Sequence, residues 1–221
     1  MKAYRGTEKP FADAPYAVVA VREFGPDFFH LGIVHRSDED GISRMLHLAW
    51  HFDLQNEPAE PEYFWIDPGY SRYRSRQVAT ICRMVAERNR GGLPYAFSDP
   101  ERAIDEATGE ALLGPTRFGF TCASFVLSVY DAAGLPLAVL SSWPPGRDGD
   151  AKWQAFIVDL LEERGASQEH VNLVRSEIGR VRFRPTEIAA ASSIAPPTAT
   201  LEAVIPEDTA LRELIASQRG G

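Results

Sequence analysis

Between Tyr16 and Phe52 the sequence alternates strand-length apolar runs with polar turns, and from Arg74 onward the apolar spacing changes to that of a helix. Tyr16–Phe24 (YAVVAVREF) is β-branched and apolar, and Gly25-Pro26 ends it. Phe28–Arg36 (FFHLGIVHR) and Ser43–Phe52 (SRMLHLAWHF) flank Ser37-Asp38-Glu39-Asp40-Gly41. Polar turn residues between two such runs predict a β-hairpin. A polar loop with two prolines, 53–62, leads to a short strand at Tyr63–Ile66. Val78, Ile81, Cys82, Val85 and Ala86 then recur at helical spacing until Gly91-Gly92, which predicts an amphipathic helix over 74–90. The run CASFVLSVYDAAG predicts a second helix, with Thr121 as N-cap and Gly134 at C′. An antiparallel sheet followed by helices is an α+β chain.

The remaining segments carry weaker signals. Leu93–Phe120 reads as loop, with room for one helical turn in the acidic stretch Asp99–Glu110, and Leu135–Leu140 reads as a strand. Beyond Trp143-Pro144-Pro145-Gly146 the composition shifts, dividing the chain into residues 1–145 and a helical extension, 146–221. Helices are predicted near 149–164 and 167–178, and Arg180–Arg184 is strand-like. Residues 186–208, rich in Ala, Ser, Pro and Thr, read as a mobile linker before a short helix at 207–218. No internal repeat is visible.

Composition excludes several functions. With 221 residues, 44% of them apolar, the chain can bury a sizeable core without staples. Its formal charge of -8 and the lack of a Lys/Arg run argue against a nucleic-acid partner, which needs a concentrated positive surface. Lys2, Arg5, Glu8 and Lys9 stand where a signal peptide would be apolar, and no segment approaches the roughly 20 apolar residues of a membrane span. The expectation is a soluble, cytoplasmic protein, unless another route exports it. Cys82 and Cys122 are then expected as free thiols, Cys82 as an inert member of a core stripe.

Cys122 is the informative thiol, because it stands in the first turn of its helix. There the helix dipole and unpaired backbone N–H groups favour thiolate, and the same groups could hold an oxyanion. Three histidines lie in the hairpin. If a four-residue loop, Ser37–Asp40, closes it, His30 and His47 face each other on one side of the sheet, about 5 Å apart at Cβ. Leu31, Ile33, Leu46, Leu48, Trp50 and Phe52 form the opposite, core face, while Gly32, Val34, Met45 and Ala49 on the His face are small enough to admit a helix. His47, His51 and Asp53 suggest a metal site only on a helix; on a strand the two histidines are about 13 Å apart, so no metal is predicted. His35 and His170 read as solvated or structural.

His30-Leu31-Gly32-Ile33-Val34, Leu46-His47-Leu48 and, roughly ninety residues after His30, Thr121-Cys122-Ala123-Ser124-Phe125-Val126 resemble the circularly permuted papain-like fold. That group includes permuted NlpC-type amidases, YiiX-like bacterial proteins and the lecithin:retinol acyltransferase kin. Pro94-Tyr95-Ala96-Phe97 and Tyr130…Ala133-Gly134-Leu135-Pro136-Leu137 extend the likeness, which covers about 15–140. Ala123 departs from the pattern, where a polar residue is common. The resemblance implies an antiparallel sheet with the nucleophile helix packed on it, Cys122 as nucleophile, His30 as general base and His47 as the third polar residue. It implies a cysteine hydrolase of amide bonds, or an acyltransferase, acting on a small peptide, amide or acyl substrate with no cofactor. The rival expectation is a binding or regulatory module that keeps the fold without turnover.

Overall fold

The computed structural model describes residues 1–38, 40–194 and 198–218; Glu39 of the hairpin turn and 195–197 of the predicted linker lie outside the described residues. The chain is α+β, with an open six-stranded antiparallel sheet and six α-helices among the described residues. The strands are β1 (Ala3–Arg5), β2 (Ala17–Gly25), β3 (Phe28–Arg36), β4 (Ser43–Trp50), β5 (Asp53–Pro58) and β6 (Phe64–Ile66), in the spatial order β1-β6-β2-β3-β4-β5. The helices are α1 (Arg72–Arg88), α2 (Cys122–Ala132), α3 (Asp150–Glu163), α4 (Gln168–Ser176), α5 (Pro185–Ala191) and α6 (Leu201–Ser217). Among the described residues no helix is long and apolar enough to cross a membrane.

The two faces of the sheet carry different cores, as a side-chain period of two requires. Leu31, Ile33, Leu46 and Leu48 turn to the helical side, where they join α1, α2 and the C-terminal helices in one buried cluster. Val18, Ala20, Val34 and Met45 turn to the other side, under Phe11, Tyr63 and Trp65. The large cluster runs on through Ile157, Val174, Ala189, Val204 and Leu211, so residues 146–221 share the core of 1–145.

Several sequence expectations are corrected. The hairpin pairs Ile33 with Leu46 and Arg36 with Ser43, so its connection runs from Ser37 to Ile42, two residues longer than the four-residue loop. Asp40 Oδ1 accepts from the Ile42 amide and Ile42 is exposed, which draws it into the turn. The polar loop after Trp50 contains β5, an edge strand that tolerates Pro58 at its end. The predicted linker contains α5, whose Ala189 and Ala190 are fully buried, and α6 begins at Leu201 rather than 207. Small alanines let α5 lie close against β2 and β3, which composition alone reads as a linker. Arg180–Arg184 forms no strand, and within Leu135–Leu140 only Ala138 makes a bridge, to Ala199.

Candidate active site

The site forms at the fork where β3 and β4 separate. Their pairing stops at Ile33 and Leu46, and beyond it the imidazoles of His30 and His47 bridge the strands, Nε2 of the first 2.8 Å from Nδ1 of the second. The two histidines are diagonal rather than directly opposed, yet still share a face, because a register shift of two preserves parity. Gly32 makes this closeness possible: a Cβ there would lie 2.8 Å from the His47 Cβ and 3.0 Å from the Leu46 carbonyl oxygen. Tyr63 and Phe24 stand edge-on to the His30 ring, at 6.5 and 6.3 Å between centroids.

A third group biases the proton positions. Oε1 of Glu57, on β5, lies 3.7 Å from His47 Nε2. A carboxylate there favours the proton on Nε2, so His47 Nδ1 is a bare acceptor and His30 Nε2–H donates to it. His30 Nδ1 is then the unprotonated nitrogen, the form a base needs. Burial, and after it His47, pushes the pKa of His30 down to about 3. Burial also lowers that of His47, against the opposing pull of Glu57. Both rings are neutral near pH 7. Glu57 was hidden from sequence reasoning because its strand reads as loop; the alternation of 55 and 57 against His47 becomes visible only once β5 is recognised.

Cys122 enters from the helical side. Thr121 caps α2, its hydroxyl accepting from the Ser124 amide at 3.1 Å, while Ser124 Oγ accepts from the Thr121 amide at 2.8 Å in a capping box. The helix packs against β3 and β4 on the Leu31/Ile33 face, so the expectation that it approaches the small residues of the His face is overturned. It meets the fork through the backbone: the amides of Leu31, the neighbour of His30, and of Ala123 lie where they favour the thiolate of Cys122. Burial outweighs these donors and pushes the thiol up to about 11. The helix start therefore does not hold a thiolate at rest. Among the described residues no hydrogen bond joins the Cys122 sulfur to the His30 ring, which is bonded to His47.

Tyr95 and Arg182 complete the surroundings. The Tyr95 hydroxyl lies near the Cys122 backbone N–H, and burial keeps the phenol protonated. Its main chain is clamped on both sides: its amide donates to His51 Nδ1 at 3.1 Å, and its carbonyl oxygen accepts from His170 Nε2 at 2.9 Å. Arg182 comes from the C-terminal segment, stacks on Trp153 at 3.9 Å, and its charge favours the Cys122 thiolate. Neither role was read from the sequence, since each depends on contacts between residues far apart in the chain. His51 sits past the end of β4 with His170, away from His47, and among the described residues no three His, Cys, Asp or Glu side chains are grouped to hold a metal. His35 lies on the opposite face from His30, bonded to Asn56. Cys82 is fully buried in α1, and both cysteines are free. No family model, curated protein or solved structure matches this chain.

Proposed function

We propose that the chain is a cysteine hydrolase or acyltransferase of the circularly permuted papain-like kind, acting on an amide bond in a small peptide or acyl substrate. The observation that carries this reading is the ordered chain Glu57, His47, His30, which leaves a neutral, unprotonated Nδ1 on the residue beside the one whose amide meets the Cys122 thiol. A nucleophile, a base and an orienter in this relation suit acyl transfer.

In the proposed mechanism a side-chain rotation of Cys122 brings its sulfur to His30. The thiol proton passes to Nδ1 as the sulfur attacks the carbonyl carbon, so transfer accompanies attack rather than preceding it. The Cys122 N–H donates to the developing oxyanion, and the Tyr95 O–H, freed to point the same way, adds a second donor. The imidazolium, held by His47, returns its proton to the leaving nitrogen, the carbon–nitrogen bond breaks, and a thioester remains. Water deprotonated by His30, or an acceptor nucleophile, then releases the acyl group and the thiol.

Incubation with an activated acyl ester, followed by intact mass measurement, tests this. A single acyl adduct that is lost in Cys122→Ala and kept in Cys82→Ala is the expected result. An adduct that survives Cys122→Ala contradicts it. One observation favours a second reading, a binding module without turnover: the Cys122 thiol is 6% exposed and is not bonded to the imidazole. That reading predicts ligand binding and no adduct in any variant.

A further inference from the structure

Tyr95 pairs with Phe120 in an isolated parallel bridge whose hydrogen bonds come from its neighbours. The Phe120 amide donates to the Pro94 carbonyl oxygen at 3.0 Å, and the Ala96 amide to the Phe120 carbonyl oxygen at 3.1 Å. In extended backbone the N–H and C=O of one residue share an edge, so those of Tyr95 face away from Phe120. Among the described residues no strand takes that edge; two imidazoles do. The Tyr95 amide donates to His51 Nδ1, its carbonyl oxygen accepts from His170 Nε2, and the rings lie 4.4 Å apart between centroids.

These bonds fix what the far edge of each ring offers. His51 uses its Nδ1 lone pair on the amide, so its Nε2 carries the proton; His170 donates from Nε2, so in the neutral ring its Nδ1 is a bare acceptor. Burial, and after it His170, lowers the pKa of His51 to about 4, which keeps that ring neutral at pH 7. Donor follows donor and acceptor follows acceptor, so the pair repeats the Tyr95 edge one imidazole further out. Neither outer nitrogen has a hydrogen-bond partner among the described residues, and neither is closed to solvent. Both histidines line a cavity of about 510 Å³ that Tyr95 does not line, so these open edges are the ones turned to it. Trp50 and the exposed Phe52 and Leu173 give the cavity apolar walls, while Arg164 and Glu169 balance in charge. A metal ion is refused by the proton on His51 Nε2, and a carboxylate brings His170 Nδ1 only another acceptor. A residue of extended peptide brings one acceptor and one donor on the same edge, as Tyr95 does on the other side of the rings.

We propose that this cavity binds an extended, uncharged peptide segment, one residue of which accepts from His51 Nε2 through its C=O and donates to His170 Nδ1 through its N–H. Its apolar side chain lies over Trp50 and Phe52. This is strand addition through an imidazole relay rather than directly to a sheet edge. The site does not rest on acyl transfer, because the peptide is held whether or not Cys122 reacts.

Nitrogen-15 NMR of the histidine rings tests the proposal, in a titration of the full chain with N-acetyl-phenylalanine methylamide at about pH 8, above the ordinary titration range of imidazole. Saturable shifts of the two outer nitrogens, with a Kd below ~10 mM, are expected. The matching ester, with oxygen in place of the phenylalanine N–H, should bind about tenfold more weakly, since it sets an oxygen against His170 Nδ1. His51→Leu should weaken the amide about tenfold or more, and His51→Gln, whose side chain accepts from Tyr95 and donates outward as the imidazole does, should restore it to within about threefold. If His51→Leu does not fold, the ester comparison on the wild-type chain decides. No saturable shift up to ~10 mM, ester bound as tightly as amide, or His51→Leu equal to wild type overturns the proposal. Benzamide bound more tightly than the peptide probe also overturns it, by assigning a primary amide instead.

Discussion

The start of α2 and the middle of α1 each bury one free thiol, and the two differ in what surrounds the sulfur. Cys82 is fully enclosed on an apolar stripe, and burial pushes its pKa far up. Cys122 is nearly as buried, yet the Leu31 and Ala123 amides and the Arg182 charge favour its thiolate, and it is pushed only to about 11. Position at a helix start thus confers less than the sequence argument expects, because desolvation opposes the dipole and wins. What separates the two sites is the neighbourhood: a strand fork with its own imidazole pair beside one, only core around the other. On the proposed function, reactivity at Cys122 rests on a base rather than on a standing thiolate.

The broadest way to erase this contrast is to remove residues 146–221. α5 packs on β2 and β3, Arg182 reaches toward Cys122, and Glu177, fully buried, accepts from the Phe97 amide at 2.8 Å. The truncated chain 1–145 should fail to fold, with both thiols labelled alike and the circular-dichroism melting transition lost. A cooperative transition with Cys122 still favoured would show the sheet to be self-sufficient.

Acid should weaken the fold on both sides of the sheet. The pKa of His30 is depressed to about 3 and those of His35 and His51 to about 4, below the unfolded value of 6.5. Their unfolded forms bind protons that the folded forms refuse, so stability is full above pH 6.5 and falls as pH drops toward 4. For His35 alone the depression from 6.5 to about 4 corresponds to roughly 3 kcal/mol. Urea melts at pH 7 and pH 4 measure it, and His35→Gln should flatten the dependence. An unchanged slope would remove His35 from this account.

A smaller change sharpens the difference at the fork itself. Gly32→Ala should cost about 1–3 kcal/mol and disturb the His30–His47 bond, because the new methyl meets the His47 Cβ and the Leu46 carbonyl rather than only a flexible side chain. Histidine nitrogen shifts in NMR spectra would report the lost bond, and spectra identical to wild type would refute it. Smallest of all, Glu57→Gln should lower acyl transfer several-fold with little effect on stability, since Glu57 is exposed and acts by setting a tautomer. Labelling of Cys82 should be indifferent to either change.

Much of the fork was legible in the chain. Period-two alternation placed His30 and His47 on one face, and that parity survived a hairpin two residues longer than expected. Thr121 and Gly134 marked the ends of α2 by their capping chemistry, while the part of Ser124 in the capping box emerges only from the structure. What escaped was set by tertiary contact. β5 reads as loop because an edge strand tolerates Pro58, so Glu57 went unseen. α5 reads as linker because its alanines carry no amphipathic pattern, although their small size is what lets them pack. The side of the sheet on which Cys122 arrives followed from the apolar face of the strands, which draws the helix toward Leu31 and Ile33 rather than toward the small residues on the His face.

The most direct test is the pH–rate profile of Cys122 alkylation by iodoacetamide in wild type and His30→Ala, with Cys82 as internal reference. With a base at Nδ1, wild type should hold a shoulder between about pH 6 and 8, where a neutral imidazole removes the proton during attack. The variant should lack it and rise about tenfold per pH unit, as a bare thiol reacting through its thiolate does. Superimposable profiles for the two proteins would mean that His30 does not serve this sulfur, and would contradict the account at its centre.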